Sequence, residues 1–314
     1  MSRLSVLFVD DEEAVCSTFQ SIFSRFYRVH IASNGQEALG ILSTTPVHVI
    51  VTDQKMPGMS GTDLLKISKE KYPETVRILV TGYADLDAVI ETINSGDIFR
   101  FISKPWKVDK LKETIDLAGQ VYQQVQLARS KSDSARSAPS GGPIRQKPHL
   151  LFVDGSEAQL HSFSETFSAS FTVHTANSAE RAYQVLRSNP VAVVISEARI
   201  GETDGIDFIS VIRDDFPSVV PVLLTEIKDI DLAVRLINQG RIHRYFIKPY
   251  RKEVFVQEIE KAVSLYQQNQ AKPELNIRKI ESDILNTETD QPKSESLADS
   301  LKNTRNRLQR RLGY

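Results

Sequence analysis

Five residues capable of phosphoryl chemistry sit at the ends of short apolar runs. Asp10 and Asp11 follow VLFV, Asp53 closes VHVIVTD, Thr81 closes VRILVT, and Lys104 follows IFRFIS. A single aspartate in such a place is ordinarily a turn or helix cap. Three carboxylates brought together are another matter, because they repel one another unless a cation joins them. All-oxygen ligation completed by water suits Mg²⁺. A hydroxyl and an ammonium beside such a cluster add little to a simple metal store. They do suit a phosphoryl group, whose peripheral oxygens need donors and positive charge.

The elements that must gather these residues are legible as a pattern. In the first half the runs VLFVD, RVHIAS, VHVIVTD, VRILVT and IFRFIS alternate with segments of helical apolar spacing such as AVCSTFQSIF and TDLLKISKEKY. Val- and Ile-rich runs that are apolar on both faces predict a parallel sheet with helices on each side, joined by right-handed crossovers. The expected fold is α/β, a doubly wound sandwich of five β/α units. In such sheets the functional site lies at the carboxyl ends of the strands, and that edge would collect the five residues.

The pattern occurs twice. LFVDDEEA at 7–14 returns as LFVDGSEA at 151–158, and INSGDIFRFISKPW at 93–106 returns as INQGRIHRYFIKPY at 237–250, both at an offset of 144 residues. Between them ARSKSDSARSAPSGGPIRQKP lacks apolar periodicity and reads as a flexible linker. The expected organisation is a first domain over 1–127, a linker over 128–147, a second domain over 148–268, a segment without stable structure over 269–296, and a short basic amphipathic tail over 297–314.

The acidic pair Asp10 and Asp11, the Asp53 segment VTDQKMPGMSG, the Thr81 segment LVTGYAD and the Lys104 segment FISKPW occur in an order that resembles the receiver domains of two-component response regulators. The resemblance spans roughly residues 4 to 126 and implies a flavodoxin-like (βα)5 fold in each half. By it, Asp53 takes a phosphoryl group from a phosphohistidine on a sensor histidine kinase or histidine phosphotransferase. Asp10, Asp11, Asp53 and the Lys55 carbonyl would hold Mg²⁺, and Thr81 and Lys104 would bind the phosphoryl oxygens. A cis peptide would fall at Lys104–Pro105. The aromatic residue that rotates inward in the family corresponds to Phe101, which has no phenol.

At the same offset the second half carries Asp154, Gly155, Glu197, Thr225 and Lys248, with Glu226 where the first half has Gly82. Loss of one carboxylate weakens cation binding, and the extra methylene of Glu197 misplaces its oxygen for in-line attack. This half is expected to be a degenerate receiver that is not phosphorylated. Glu197 could reach Lys248 and imitate a phosphorylated charge, or form a passive ion pair in a domain kept for binding.

Composition narrows the remaining classes. Lys and Arg number 39 against 40 Asp and Glu, so no net field draws the chain to nucleic acid or anionic membrane. The single cysteine, Cys16, is read as core-facing and fits a reducing compartment. No apolar run is long enough for a signal-peptide core or a bilayer span, and a cytoplasmic protein is expected. No glycine-rich phosphate loop, cyclase or phosphodiesterase signature, or DNA-binding domain is evident, and nothing points to turnover of a metabolite. In the tail, Leu297, Leu301, Leu308 and Leu312 near one helical face suggest a docking helix. The expectation is a response regulator signalling through phosphorylation-dependent binding to a downstream protein, or relaying its phosphoryl group; a homodimer is compatible with it. The rival is a phosphorylation-independent scaffold built from both folds.

Overall fold

The structure, a computed structural model, describes residues 3–82, 98–134, 147–201, 203–226, 238 and 242–288. Two compact units form, one centred on each half of the repeat.

The first unit is built on β1 (Ser5–Val9), β2 (Arg28–Ala32), β3 (Val49–Asp53), β4 (Val76–Thr81) and β5 (Arg100–Ser103), in the order β2-β1-β3-β4-β5. All its pairings are parallel. Every residue of β1 and β3 is buried, as runs apolar on both faces require. α1 (Glu13–Phe23) and α4 (Val108–Ser134) cover one face of this sheet through Cys16, Phe19, Phe23, Leu111, Ile115 and Ala118. Phe8 of β1 stacks on Phe19 with ring centroids 4.0 Å apart, and Trp106 meets Phe19 edge-on at 6.4 Å. α2 (Gly35–Thr44) and α3 (Gly61–Lys71) bury Ala38, Leu42, Leu64 and Leu65. Their starts are fixed by side-chain caps, Asn34 accepting from the Glu37 amide and Ser60 from the Asp63 amide. The helical segment expected between β4 and β5 lies outside the described residues.

The second unit repeats the plan. Strands β6 (His149–Val153), β7 (Thr172–Ala176), β8 (Val191–Ser196), β11 (Val220–Thr225) and β12 (Arg244–Ile247) form a parallel sheet in the order β12-β11-β8-β6-β7. α5 (Glu157–Phe167), α6 (Ala179–Ser188), α7 (Gly205–Asp215) and α8 (Lys252–Ala271) flank it. One addition distinguishes it: β9 (Arg199–Ile200) and β10 (Thr203–Asp204) form a small antiparallel bridge directly after β8.

The structure corrects two boundaries. α4 continues to Ser134, so the expected linker is helical over its first residues, 128–134. Extending an established helix avoids the cost of nucleation, and Glu74 accepts from both Gln126 and Arg129, tying the extension to the turn before β4. The segment read as lacking structure from 269 carries a 3₁₀ turn (Pro273–Leu275) and α9 (Ile277–Glu288). Ile277, Ile280 and Ile284 recur there at helical spacing. Asn276, buried at the helix start, reaches back to the Pro217 carbonyl at 3.4 Å. Residues 289–314, including the expected tail, lie outside the described residues. Among the described residues no helix is long and apolar enough to cross a membrane.

Candidate functional site

Register places the strand ends side by side. Val9 pairs with Thr52, Asp53 with Val80, and Thr81 with Ser103, so β1, β3, β4 and β5 deliver Asp10, Asp53, Thr81 and Lys104 to one edge of the sheet. The strand order reverses between β1 and its two neighbours, the position at which open α/β sheets hold ligands.

Lys104 joins two of the three predicted acids. Its Nζ lies 2.7 Å from Asp53 Oδ1 and 2.9 Å from Asp10 Oδ2. Asp10 is fully buried, and its other oxygen accepts from the Glu12 amide at 3.0 Å. Asp53 is also buried, and its Oδ2 accepts from the Lys55 amide at 2.9 Å. Burial alone pushes the Lys104 ammonium down; the hydrogen bonds and charge of Asp53 and Asp10 outweigh it and hold the pKa above the usual lysine value. The Lys104–Pro105 peptide is cis, and the Lys104 amide donates to the Thr81 carbonyl at 2.9 Å.

Asp11 and Thr81 stand apart from this cluster. Asp11 is exposed. The Thr81 hydroxyl, though buried, donates to the Gly82 carbonyl at 3.0 Å. Among the described residues no group of three acidic, histidine or cysteine side chains is gathered closely enough to hold a cation. The donor chemistry nevertheless fits a hard divalent ion, since two buried carboxylates and the adjacent Asp11 offer oxygen alone. Phe101 is buried.

Gly61 was not singled out from sequence. A Cβ built there would lie 2.1 Å from the Asp53 carbonyl oxygen, so only glycine lets α3 start this close to the end of β3. Its amide donates to the Gln54 carbonyl at 3.0 Å, which ties the start of that helix to the residue after Asp53. The signal was the second glycine of MPGMSG, eight residues after Asp53.

The second unit reproduces the wiring with altered acids. Lys248 Nζ lies 3.1 Å from Asp154 Oδ2 and 2.6 Å from Glu197 Oε2, the Asp154 Oδ1 accepts from the Ser156 amide at 2.9 Å, and Lys248–Pro249 is cis. Glu197 Oε1 accepts from the Ala198 amide at 3.0 Å, one residue on, whereas Asp53 uses an amide two residues on. Burial opposes the Lys248 charge, and Glu197 and Asp154 again raise its pKa overall. A cavity of about 370 Å³ opens above, lined by Asp154, Glu197, Arg199, Thr225, Glu226 and Lys248 among others.

A family model for the response regulator receiver domain matches residues 6–116 and again 150–260. The chain belongs to this family. The chain is 39% identical over 113 residues to the hydrogenase transcriptional regulatory protein HoxA of Cupriavidus necator, covering 36% of this chain and 23% of that protein. Similarity to the response regulator protein PilR of Pseudomonas aeruginosa is 31% over 119 residues, covering 38% and 26% of the two chains. The chain thus spans about a quarter of the length of the curated relatives it matches. Among solved structures, the signal receiver domain of an HD domain-containing protein from Pseudomonas fluorescens is 33% identical, covering 38% of this chain and 98% of that one, with a TM-score of 0.38. The two family-model matches make tandem receivers the architecture of this chain.

Proposed function

We propose that the first receiver accepts a phosphoryl group on Asp53 from a histidine kinase or histidine phosphotransferase and signals by altered protein binding. The observation that carries this reading is the joining of Asp10 and Asp53 by Lys104 at adjacent strand ends. In the transfer, a bond forms between an Asp53 carboxylate oxygen and phosphorus as the phosphorus–nitrogen bond of phosphohistidine breaks, and the imidazole leaves with the electron pair. Phosphoryl transfer asks mainly for alignment and charge neutralisation. Asp10, Asp11, Asp53 and the Lys55 carbonyl would hold Mg²⁺, which would supply part of that neutralisation.

The chain's own groups do the rest. The Lys55 amide orients Asp53 through Oδ2. Lys104, already charged and beside Asp53, turns its ammonium to the incoming phosphoryl oxygens. Thr81 exchanges its bond to the Gly82 carbonyl for one to the phosphoryl group, which couples the site to the end of β4. Such a change biases a choice between two conformers. The second receiver is read as a fold that takes no phosphoryl group.

The test is intact-mass measurement after incubation with Mg²⁺ and acetyl phosphate. One phosphoryl group on the native chain, absent in Asp53→Ala, is expected. No uptake by the native chain, including from histidine kinases, would remove the phosphorylation reading and leave both receivers as scaffolds.

A further inference from the structure

The second receiver retains more of the first site than its altered acids suggest. The lysine-to-aspartate contact, the aspartate-to-backbone hydrogen bond, the cis peptide after the lysine and the lysine amide bonded to the threonine carbonyl recur at nearly the same distances. Three of the positions that differ bear directly on the chemistry. Glu197 engages Lys248 with one oxygen and the Ala198 amide with the other, as Asp53 engages Lys104 and the Lys55 amide, but its carboxylate stands one methylene further from the backbone. Glu226 adds a carboxylate to the wall of the cavity, where the first receiver has Gly82. Gly155 withholds the oxygen that Asp11 offers.

We propose that the second receiver is an assembled phosphoryl-transfer scaffold held shut by these three residues: Glu197 carries its carboxylate one methylene too far for in-line attack, Glu226 repels an anionic donor, and Gly155 leaves the cation one ligand short. This rests on the reading of Asp53 given above. The backbone does not stand in the way of reversing them. A Cβ at Gly155 would meet only the Gly201 amide nitrogen, 4.0 Å away, and Gly155 is not in the left-handed region, so the backbone accepts a side chain there. Glu197→Asp and Glu226→Gly both remove atoms. Gly205, like Gly61, already lets the following helix approach the end of its strand, with a Cβ there falling 2.2 Å from the Glu197 carbonyl oxygen.

The experiment uses the full chain carrying Asp53→Ala together with Gly155→Asp, Glu197→Asp and Glu226→Gly. With Mg²⁺ and acetyl phosphate, the carboxylate at position 197 forms its bond to phosphorus as the acyl oxygen–phosphorus bond breaks, and acetate leaves with the electron pair. Intact mass is expected to rise from no phosphoryl group in Asp53→Ala to one in the combined variant. Electron paramagnetic resonance of added Mn²⁺ reads the cation site without phosphoryl chemistry, and Gly155→Asp with Glu197→Asp is expected to add one bound ion per chain.

A folded combined variant that gains neither overturns the proposal. So does uptake by Asp53→Ala with Glu197→Asp alone, which would show the other two positions to be irrelevant. Should the combined variant not fold, the Mn²⁺ count on the pair of substitutions decides, and no added ion overturns it. Failure of the Asp53 reading is seen separately, as no uptake by the native chain.

Discussion

Substituting Gly61 should damage the first receiver where the same change at Gly40 should help it. Both glycines lie in helices of one sheet face, α3 and α2. A Cβ at Gly61 would fall 2.1 Å from the Asp53 carbonyl oxygen and 2.9 Å from both its carbonyl carbon and Leu79 Cδ1. The helix and the strand end must part by roughly 1 Å, and overpacking of this kind costs about 1–3 kcal/mol. Replacing glycine with alanine in a helix returns about 0.5–1 kcal/mol, so Gly61→Ala should destabilise by roughly 1–2 kcal/mol. Gly40 is exposed and a Cβ there meets nothing within 4 Å, so Gly40→Ala keeps the whole gain and should stabilise by about 0.5–1 kcal/mol.

The assay is built into the chain. Trp106, the only tryptophan, packs against Phe19 and Phe23 in the first receiver, so its fluorescence during urea unfolding reports that core. The midpoint should fall for Gly61→Ala and rise for Gly40→Ala. The misplacement also reaches the chemistry, because Asp53 is the residue displaced. A shift of about 1 Å at a reacting group can cost on the order of 10²-fold in rate, and phosphoryl uptake by Gly61→Ala should slow by that order. Equal midpoints for the two variants, or native uptake by Gly61→Ala, would refute the claim that glycine is required beside Asp53.

Two further outcomes follow from buried ionisable groups. His48 accepts from the Ser5 amide through Nδ1 at 3.0 Å, and burial holds its pKa below the ordinary value of 6.5. A depressed folded pKa means full stability above about pH 6.5, lost as pH falls through the folded value, so the Trp106 urea midpoint should drop between about pH 7.5 and pH 5. His48→Asn keeps an acceptor for Ser5 without the titration and should shrink that drop; an unchanged drop would refute the assignment. In the second receiver, Arg244 Nε binds Glu258 Oε2 at 2.8 Å with both side chains nearly buried, so Arg244→Met should destabilise that unit by about 2–4 kcal/mol in urea unfolding followed by circular dichroism. A native-like transition would show that Lys261, 2.6 Å from the other Glu258 oxygen, suffices alone.

The strand-end residues were legible because their positions depend on little beyond element order. A parallel sheet read from its apolar runs must bring Asp10, Asp53, Thr81 and Lys104 to one edge, and the register does so. Contacts between residues distant in sequence were not legible. Helix α4 outruns its expected end because Glu74 grips it from more than fifty residues upstream. Helix α9 forms in a polar stretch because Asn276 finds Pro217, and the glycine requirement at position 61 exists only once α3 is laid against β3. Asp10 and Asp11 differ in exposure, the first buried and the second at the surface, which adjacency in sequence did not foretell.

The two sites share one wiring, so what separates them is reach and charge. Asp53 gives one oxygen to Lys104 and the other to an amide two residues on. Glu197 gives one oxygen to Lys248 and the other to the Ala198 amide, one residue on, so the added methylene moves the carboxylate without changing how many partners hold it. Turning either lysine away leaves its acid with one partner, and an uncompensated buried charge is costly in both receivers. A phosphoryl donor to the second receiver must in addition pass Glu226, whose carboxylate lines the cavity where the first receiver has Gly82.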